Sequence, residues 1–258
     1  MIKHIELIRP INSGCYGTVY KAYDHRTKEF RAVKLLPNAR PDISPGRYSL
    51  MKQNEVSNMA RLHGYPNIVK LYDVLSDTEN TYLVQEFCGG NTLHESMVVK
   101  SLPLIAKRKA IKDMVNAIFA CHKEGIIFCD LKPSNIIFSI DAMHYKLTDF
   151  GSSVDTTSKT PLPIAMVTPL FTAPELFFEK HASFPFDIWS LGILAYMLLY
   201  DVHPFKKNDI FVPDNLLQPL VFPSYAHPTD SMFISTALKV DPTKRATIAE
   251  LHDMVDAL

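Results

Sequence analysis

The chain has 258 residues, enough for one large domain or two small lobes around a substantial core, and its 47% apolar and 21% charged content is ordinary for a globular protein. Lys plus Arg equals Asp plus Glu at 27 each, so no global field draws it to nucleic acid or to an anionic membrane. The N-terminus, Met1 to Glu6, carries no long apolar run or cleavage-like signal, and the most apolar stretch, Ile188 to Tyr200, is shorter than the roughly 20 residues needed to span a bilayer.

Alternating apolar residues predict strands over Ile5–Ile11, Thr18–Asp24, Glu29–Leu36, Ile68–Val74 and Thr81–Phe87, with a turn at Asp24-His25-Arg26-Thr27-Lys28. The proline-rich Pro37–Gly46 reads as a loop. Helical spacing of Val56, Met59 and Leu62 predicts one helix over Leu50–Leu62. After Gly89-Gly90 the pattern turns helical, over Ala106–Glu124 and Asp187–Tyr200, and a short helix follows Thr247, with Glu250 placed for a capping box. Strand-rich then helix-rich implies two lobes of an α+β protein: a small one over about 1–87, a joint over about 86–90 and a larger one over about 91–258. No internal repeat is visible.

The chemistry concentrates between Asp130 and Gly151. Asp130-Leu131-Lys132-Pro133-Ser134-Asn135 precedes apolar Ile136-Ile137-Phe138, and Lys146-Leu147-Thr148-Asp149-Phe150-Gly151 follows a short turn. A carboxylate, an ammonium, an amide and a second carboxylate on short strands are what phosphoryl transfer needs: a group to orient the hydroxyl, a cation for the migrating group, and oxygens for magnesium.

This string resembles the catalytic loop and magnesium-binding turn of the eukaryotic serine/threonine protein kinases, and further segments extend the resemblance from about Ile8 to the end. Ile11-Asn12-Ser13-Gly14-Cys15-Tyr16-Gly17-Thr18-Val19 is similar to their glycine-rich loop, with Asn12 for the first glycine. Ala32-Val33-Lys34, Thr168-Pro169-Leu170-Phe171-Thr172-Ala173-Pro174-Glu175, Asp187-Ile188-Trp189-Ser190-Leu191-Gly192 and Asp241-Pro242-Thr243-Lys244-Arg245 follow in family order.

The resemblance implies the two-lobed kinase fold, ATP with Mg2+ (or Mn2+ in its place), and a protein substrate. Asp130 would orient the hydroxyl and Lys132 neutralise the moving phosphoryl group; Asn135 and Asp149 would hold the metal. Gly14 and Gly17 would let backbone amides approach the phosphates, and Lys34, held by Glu55, would grip them. Val19, Ala32 and Ile137 would sandwich the adenine, Ile11 would also line the ATP site, Gln85 would hold the gatekeeper position, and Glu86 and Cys88 would offer backbone groups. Thr168 and Leu170 would dock the substrate, and Glu175 would pair with Arg245. Lys132 together with Thr168 favours serine or threonine over tyrosine as acceptor. No appended regulatory module, a monomer, and an intracellular, cytoplasmic and nuclear location without signal peptide or membrane span are expected alongside.

Departures from the family pattern carry further expectations. Phe128-Cys129 replaces His-Arg before Asp130, so the arginine that binds a phosphorylated loop residue in many kinases is missing, and phosphorylation of Thr156, Thr157, Ser158 or Thr160 is expected to be dispensable. Phe128 would join Met59, Leu71 and Phe150 in a wholly apolar column between the lobes. Asn12 would tolerate a positive φ in the glycine turn. Ser134 removes an acidic reader of basic substrates, and Leu170 suggests an apolar residue beside the acceptor. Cys15, Cys88 and Cys129 fall on the three cleft segments, where cationic surroundings could lower a thiol pKa, although a lone cysteine is more often a small buried apolar residue; with Cys121 they lack CxxC spacing and read as free thiols of a reducing compartment.

Two rivals follow. A nucleotide-binding pseudokinase acting as a scaffold rests on Asn12, Phe128 and Cys129, none of them a phosphate or metal group. A small-molecule phosphotransferase leaves Thr168–Glu175 without a role.

Overall fold

The computed structural model describes residues 2–14, 17–99, 102–157, 168–179, 183–207, 210–211 and 213–258. The N-terminal third is a five-stranded antiparallel sheet of β1 (Ile5–Gly14), β2 (Gly17–Asp24), β3 (Glu29–Pro37), β4 (Leu71–Ser76) and β5 (Asn80–Glu86), in the order β1-β2-β3-β5-β4. Its own small core gathers Ile5, Ala22, Val33, Leu75, Tyr82 and Val84. Helix α1 (Pro45–Arg61) joins β3 to β4.

Two expectations shift here. The helix begins at Pro45, inside the expected Pro37–Gly46 loop, because proline at the first helical position loses only an amide that has no intrahelical partner anyway. The strand expected from Ile68 begins at Leu71, because residues 67–69 bond across to the other lobe: Val69 N–H donates to Leu147 C=O at 3.0 Å, and Leu147 N–H to Asn67 C=O at 2.8 Å.

Beyond Glu86 the chain makes β6 (Gly89–Thr92) and α2 (Leu93–Val99), a short strand and helix that periodicity did not reveal. A β-carbon at Gly90 would stand 2.3 Å from Phe138 C=O, so only glycine lets the joint lie against the backbone at Phe138. Helix α3 (Leu104–Lys123) leads through β7 (Ile126–Ile127) to the pair β8 (Ile136–Ser139) and β9 (His144–Leu147), and β10 (Val154–Asp155) returns to pair with β7. Helices α4 (Pro174–Glu179), α5 (Phe184–Tyr200), α6 (Pro228–Ala237) and α7 (Ile248–Met254) complete the larger lobe. Three of these lay outside the sequence reading: α2 and α4 are too short to display a helical period, and α6 follows a proline-rich run.

Helix α5 is apolar around its circumference and buried along nearly its whole length, the behaviour of a central core helix. Thr247 caps α7 in a reciprocal box with Glu250, as the sequence indicates. Met59, Phe128 and Phe150 are fully buried in one cluster, Leu71 packs against it, and the two phenylalanine rings meet edge-on at 5.1 Å, so the apolar column between the lobes is continuous. Among the described residues no helix is long and apolar enough to cross a membrane.

Candidate active site

A cleft of about 330 Å³ opens between the sheet and the helical lobe. Ile11, Val19, Ala32 and Ile137 line it, as expected, together with Val69, which had not been expected there. Gln85, Glu86 and Cys88 form its back edge. Gln85 is buried, and its Nε2 donates to Met59 Sδ at 3.4 Å. Ser134 and Thr148, inside the motifs read from the sequence, also border the cleft, and so do Arg9, Asn91, Thr92 and Glu95, which no motif marked.

Asn12 pairs with Val19 in the β1–β2 ladder and lies outside the left-handed region, so the positive φ anticipated for it is not required. Gly14 and Gly17 face each other at the end of that ladder. A β-carbon at Gly17 would sit 2.0 Å from Leu35 C=O, so the second glycine is needed for packing on β3 as well as for any approach to a ligand. Cys15 and Tyr16 lie outside the described residues.

On the upper wall, β3 carries Lys34, whose Nζ donates to Glu55 Oε1 at 2.6 Å and to Asp149 Oδ1 at 2.9 Å. Burial opposes the ammonium, but the flanking Asp149 and Glu55 carboxylates outweigh it and push the Lys34 pKa up. Burial also raises the Asp149 carboxyl, yet Lys34 beside it prevails and holds it below its ordinary value. Glu55, 2% exposed, is pushed up, burial outweighing its ion pair. Asp149 adopts left-handed backbone angles, φ 65° and ψ 75°, which turn its carboxylate toward Lys34.

The lower wall is the loop between β7 and β8. Asp130 Oδ1 accepts from the Thr168 hydroxyl at 2.8 Å, and Oδ2 accepts from Lys132 Nζ at 2.6 Å; Lys132 donates also to Thr168 Oγ1 at 3.0 Å. Asn135 Nδ2 donates to the Asp130 carbonyl at 2.9 Å and to its Oδ2 at 3.1 Å, fixing the loop on itself. Burial raises the Asp130 carboxyl, against the lowering influence of Lys132.

Beneath the loop, Asp187 of α5, fully buried, accepts from the Phe128 N–H at 2.8 Å and the Cys129 N–H at 2.9 Å. Cys129 has φ +69°, uncommon for a residue with a side chain, and the two amides on one carboxylate hold it there. The motif-bearing Asp187 is thus a support of the loop, a role helical periodicity alone does not disclose. Leu170 C=O accepts from His203 Nε2 at 2.8 Å, and His203 Nδ1 accepts from the Phe205 N–H at 3.1 Å, so the Thr168–Glu175 segment rests on a neutral imidazole.

Of the two readings of the cysteines, reactive thiol or small buried apolar residue, the second holds at Cys88 and Cys129. Cys88 and Cys129 are buried, and burial pushes the Cys88 thiol up to about 12 and that of Cys129 well above its ordinary value. Neither is a thiolate at neutral pH, because apolar surroundings and nearby carboxylates win over the lysines.

The donors facing the cleft fit a hard divalent cation: Asp149 offers carboxylate oxygen, and Asn135, occupied through its nitrogen, offers amide oxygen.

A sheet-rich lobe, a helical lobe and a polar cleft between them, with lysine-bridged carboxylates on both walls, define a nucleotide-dependent phosphotransferase architecture. The protein kinase domain family matches residues 5–255, and the chain belongs to that family. It is 31% identical to the serine/threonine-protein kinase TOS3 of Saccharomyces cerevisiae over 97% of its own length and 52% of that protein. It is 29% identical to the SNF1-like protein kinase ssp2 of Schizosaccharomyces pombe, over 94% of the chain and 42% of the relative. It is 32% identical to human serine/threonine-protein kinase ULK3, over 78% and 43%. The chain thus spans about half or less of the length of these relatives. Members of this family ordinarily use ATP and Mg2+.

Proposed function

We propose that the chain transfers the γ-phosphoryl group of ATP to serine or threonine hydroxyls of protein substrates, as a single catalytic unit with its lobes divided near residues 86–90. The observation that carries this reading is the Asp130–Lys132–Thr168 arrangement, in which each of the three side chains is hydrogen-bonded to the other two. Asp130 would hold the substrate hydroxyl and receive its proton as the oxygen bonds to phosphorus and the bond to the ADP oxygen breaks. Lys132, now bridging Asp130 and Thr168, would meet the charge of the phosphoryl group in transit. Lys34 would orient the α- and β-phosphates, with Val19, Ala32 and Ile137 about the adenine. Asn135 and Asp149 would hold Mg2+, which supplies charge neutralisation on the phosphates.

Transfer would not require phosphorylation after Gly151. The Thr156 hydroxyl donates to Gly125 C=O at 2.8 Å and the Thr157 hydroxyl to Asp155 Oδ1 at 2.7 Å, so both already serve the local turn. Ser158 and Thr160 lie outside the described residues. Leu170 in the docking segment favours an apolar residue beside the acceptor, and Ser134 offers no charge to a basic one. Buried free thiols at Cys88, Cys121 and Cys129 are in keeping with a reducing intracellular compartment.

The test is radiolabelled γ-phosphate transfer with Mg2+ to a mixed protein substrate, comparing wild type with Asp130→Asn and with a variant carrying alanine at Thr156, Thr157, Ser158 and Thr160. Transfer is expected in the wild type and the alanine variant, with a loss of about 10²–10⁴-fold in Asp130→Asn. A folded, nucleotide-binding wild type without transfer overturns the catalytic reading; a folded but inactive alanine variant overturns phosphorylation independence alone.

A further inference from the structure

Helix α1 is tied to the rest of the molecule along one strip. Glu55, Asn58 and Arg61 stand at i, i+3 and i+6, neighbouring positions of one helix face. Glu55 reaches Lys34. Asn58, 1% exposed, donates through Nδ2 to Ser153 Oγ at 2.8 Å, and that hydroxyl donates to Phe150 C=O at 2.6 Å. Arg61 Nη1 lies 2.8 Å from Asp155 Oδ2, while Nη2 donates to Glu124 C=O. Asn54, beside the strip, reaches Ser153 C=O at 3.4 Å. Every partner beyond Lys34 lies in the segment leaving Asp149-Phe150-Gly151 or in the turn after α3.

These partners are themselves fixed. Asp155 sits on β10 opposite Ile126, and its Oδ1 accepts from the Thr157 amide at 2.9 Å and hydroxyl at 2.7 Å, leaving Oδ2 to Arg61. Asn58 keeps Oδ1 buried without a partner, a poor bargain for stability that an apolar residue would avoid. An amide in such a place is better explained by the position it enforces than by the energy it adds. The strip therefore sets the height and rotation of α1, and so where Glu55 meets Lys34.

We propose that Asn58 and Arg61 are positioning residues that hold Glu55 against Lys34, with Ser153 and Asp155 as their fixed counterparts and the Asp155 carboxylate as the built-in anion of the latch. This rests on the kinase reading of Lys34 and deepens its phosphorylation-independent part: the anion that ties α1 down belongs to the chain and needs no modification to appear.

The test combines hydrogen exchange of the α1 amides in the nucleotide-free protein with steady-state kcat and ATP KM. The variants are Arg61→Ala, Asp155→Ala, their combination, Asn58→Leu, and the exchanged pair Arg61→Glu with Asp155→Lys. The two ion-pair variants are expected to loosen α1 and to lower kcat/KM for ATP about tenfold, the double variant to be no worse than either single, and the exchanged pair to regain part of the loss. Asn58→Leu should preserve the thermal midpoint yet loosen the Glu55 turn. Should Arg61→Ala fail to fold, Arg61→Lys gives the milder measurement, retaining the charge while losing the fork to Glu124. Unchanged α1 exchange in folded variants, or unchanged kcat/KM with a loosened helix, overturns the proposal. Because exchange needs no turnover, failure of the kinase reading shows separately, as loosened helices in a protein with no wild-type transfer to lose.

Discussion

Two buried cations, Arg245 and Lys34, each bind carboxylate, and they do so in opposite styles. Arg245 is wholly buried and spends all five of its donors: two on Glu175 at 2.6 and 2.9 Å, and the rest on the carbonyls of Lys239, Pro185 and Val240. Its guanidinium also lies 5.1 Å from the Trp189 ring. Lys34 is a point charge shared between Glu55 on α1 and Asp149 after β9, elements of different lobes, and Asp149 stays 28% exposed to the cleft. A planar fork with every donor committed has one geometry, which suits an anchor beneath the Thr168–Glu175 segment. An ammonium between two carboxylates can redistribute its bonds when phosphates arrive, which suits a working site.

The largest effect should come from breaking the anchor. Glu175→Ala leaves a buried guanidinium without its counter-charge and is expected to cost about 3–5 kcal/mol, read as a fall in the thermal midpoint, with phosphate transfer falling in step with the folded fraction. A variant as stable as wild type would show that the carbonyls alone satisfy Arg245, and the contrast with Lys34 would lose its basis.

Lys34→Met should divide the two quantities differently. Transfer is expected to fall about 10²–10³-fold, the scale of losing one preorganised charge, while stability suffers less, because Glu55 can take up a proton. The Glu55 carboxyl is already pushed up by burial, and removing the ammonium pushes it further. A folded-state pKa above the unfolded value means that the stabilising contribution is present at low pH and lost as pH rises. The variant should therefore lie nearest wild type in thermal midpoint at or below pH 4.5, the ordinary glutamate value, and fall behind it as pH rises toward neutrality. A deficit that stays constant with pH would remove Glu55 as the proton acceptor.

This contrast was legible in the sequence only in part. The order of the motifs pairs Lys34 with Glu55 and Glu175 with Arg245, and the structure brings both pairs together. The strip on α1 was not legible: Asn58, Arg61, Ser153 and Asp155 are common polar residues, 95 positions apart in the case of Asn58 and Ser153, and only the packing of α1 on the segment after Gly151 joins them. Thiol chemistry was left between two readings, reactive thiol or small buried apolar residue, because sequence places Cys88 and Cys129 on cleft segments but does not give their burial. Strand β4 and helix α1 began elsewhere than expected where tertiary bonds or a proline outweighed periodicity. The buried carboxylate of Asp187 shows the same limit from the other side: its motif was readable, but the two loop amides it holds depend on the approach of α5.

The smallest expected effect concerns His203, a third polar support and the one that can change its charge near neutrality. Like Arg245 it holds the Thr168–Glu175 segment from behind, through Leu170 C=O, but it needs Nδ1 unprotonated to accept from Phe205. Burial holds its pKa below the ordinary 6.5. A base with a depressed folded-state pKa gives a stability contribution that is whole above the unfolded value and is lost as pH falls below it. Protonation forfeits one buried hydrogen bond, worth about 0.5–1.5 kcal/mol. The thermal midpoint of the wild type should therefore decline from pH 6.5 toward pH 5 by more than that of His203→Gln, whose amide presents a donor and an acceptor that do not titrate. Equal declines in the two proteins would move the acid sensitivity to another group, and would leave Arg245 and His203 differing in geometry but not in their response to protons.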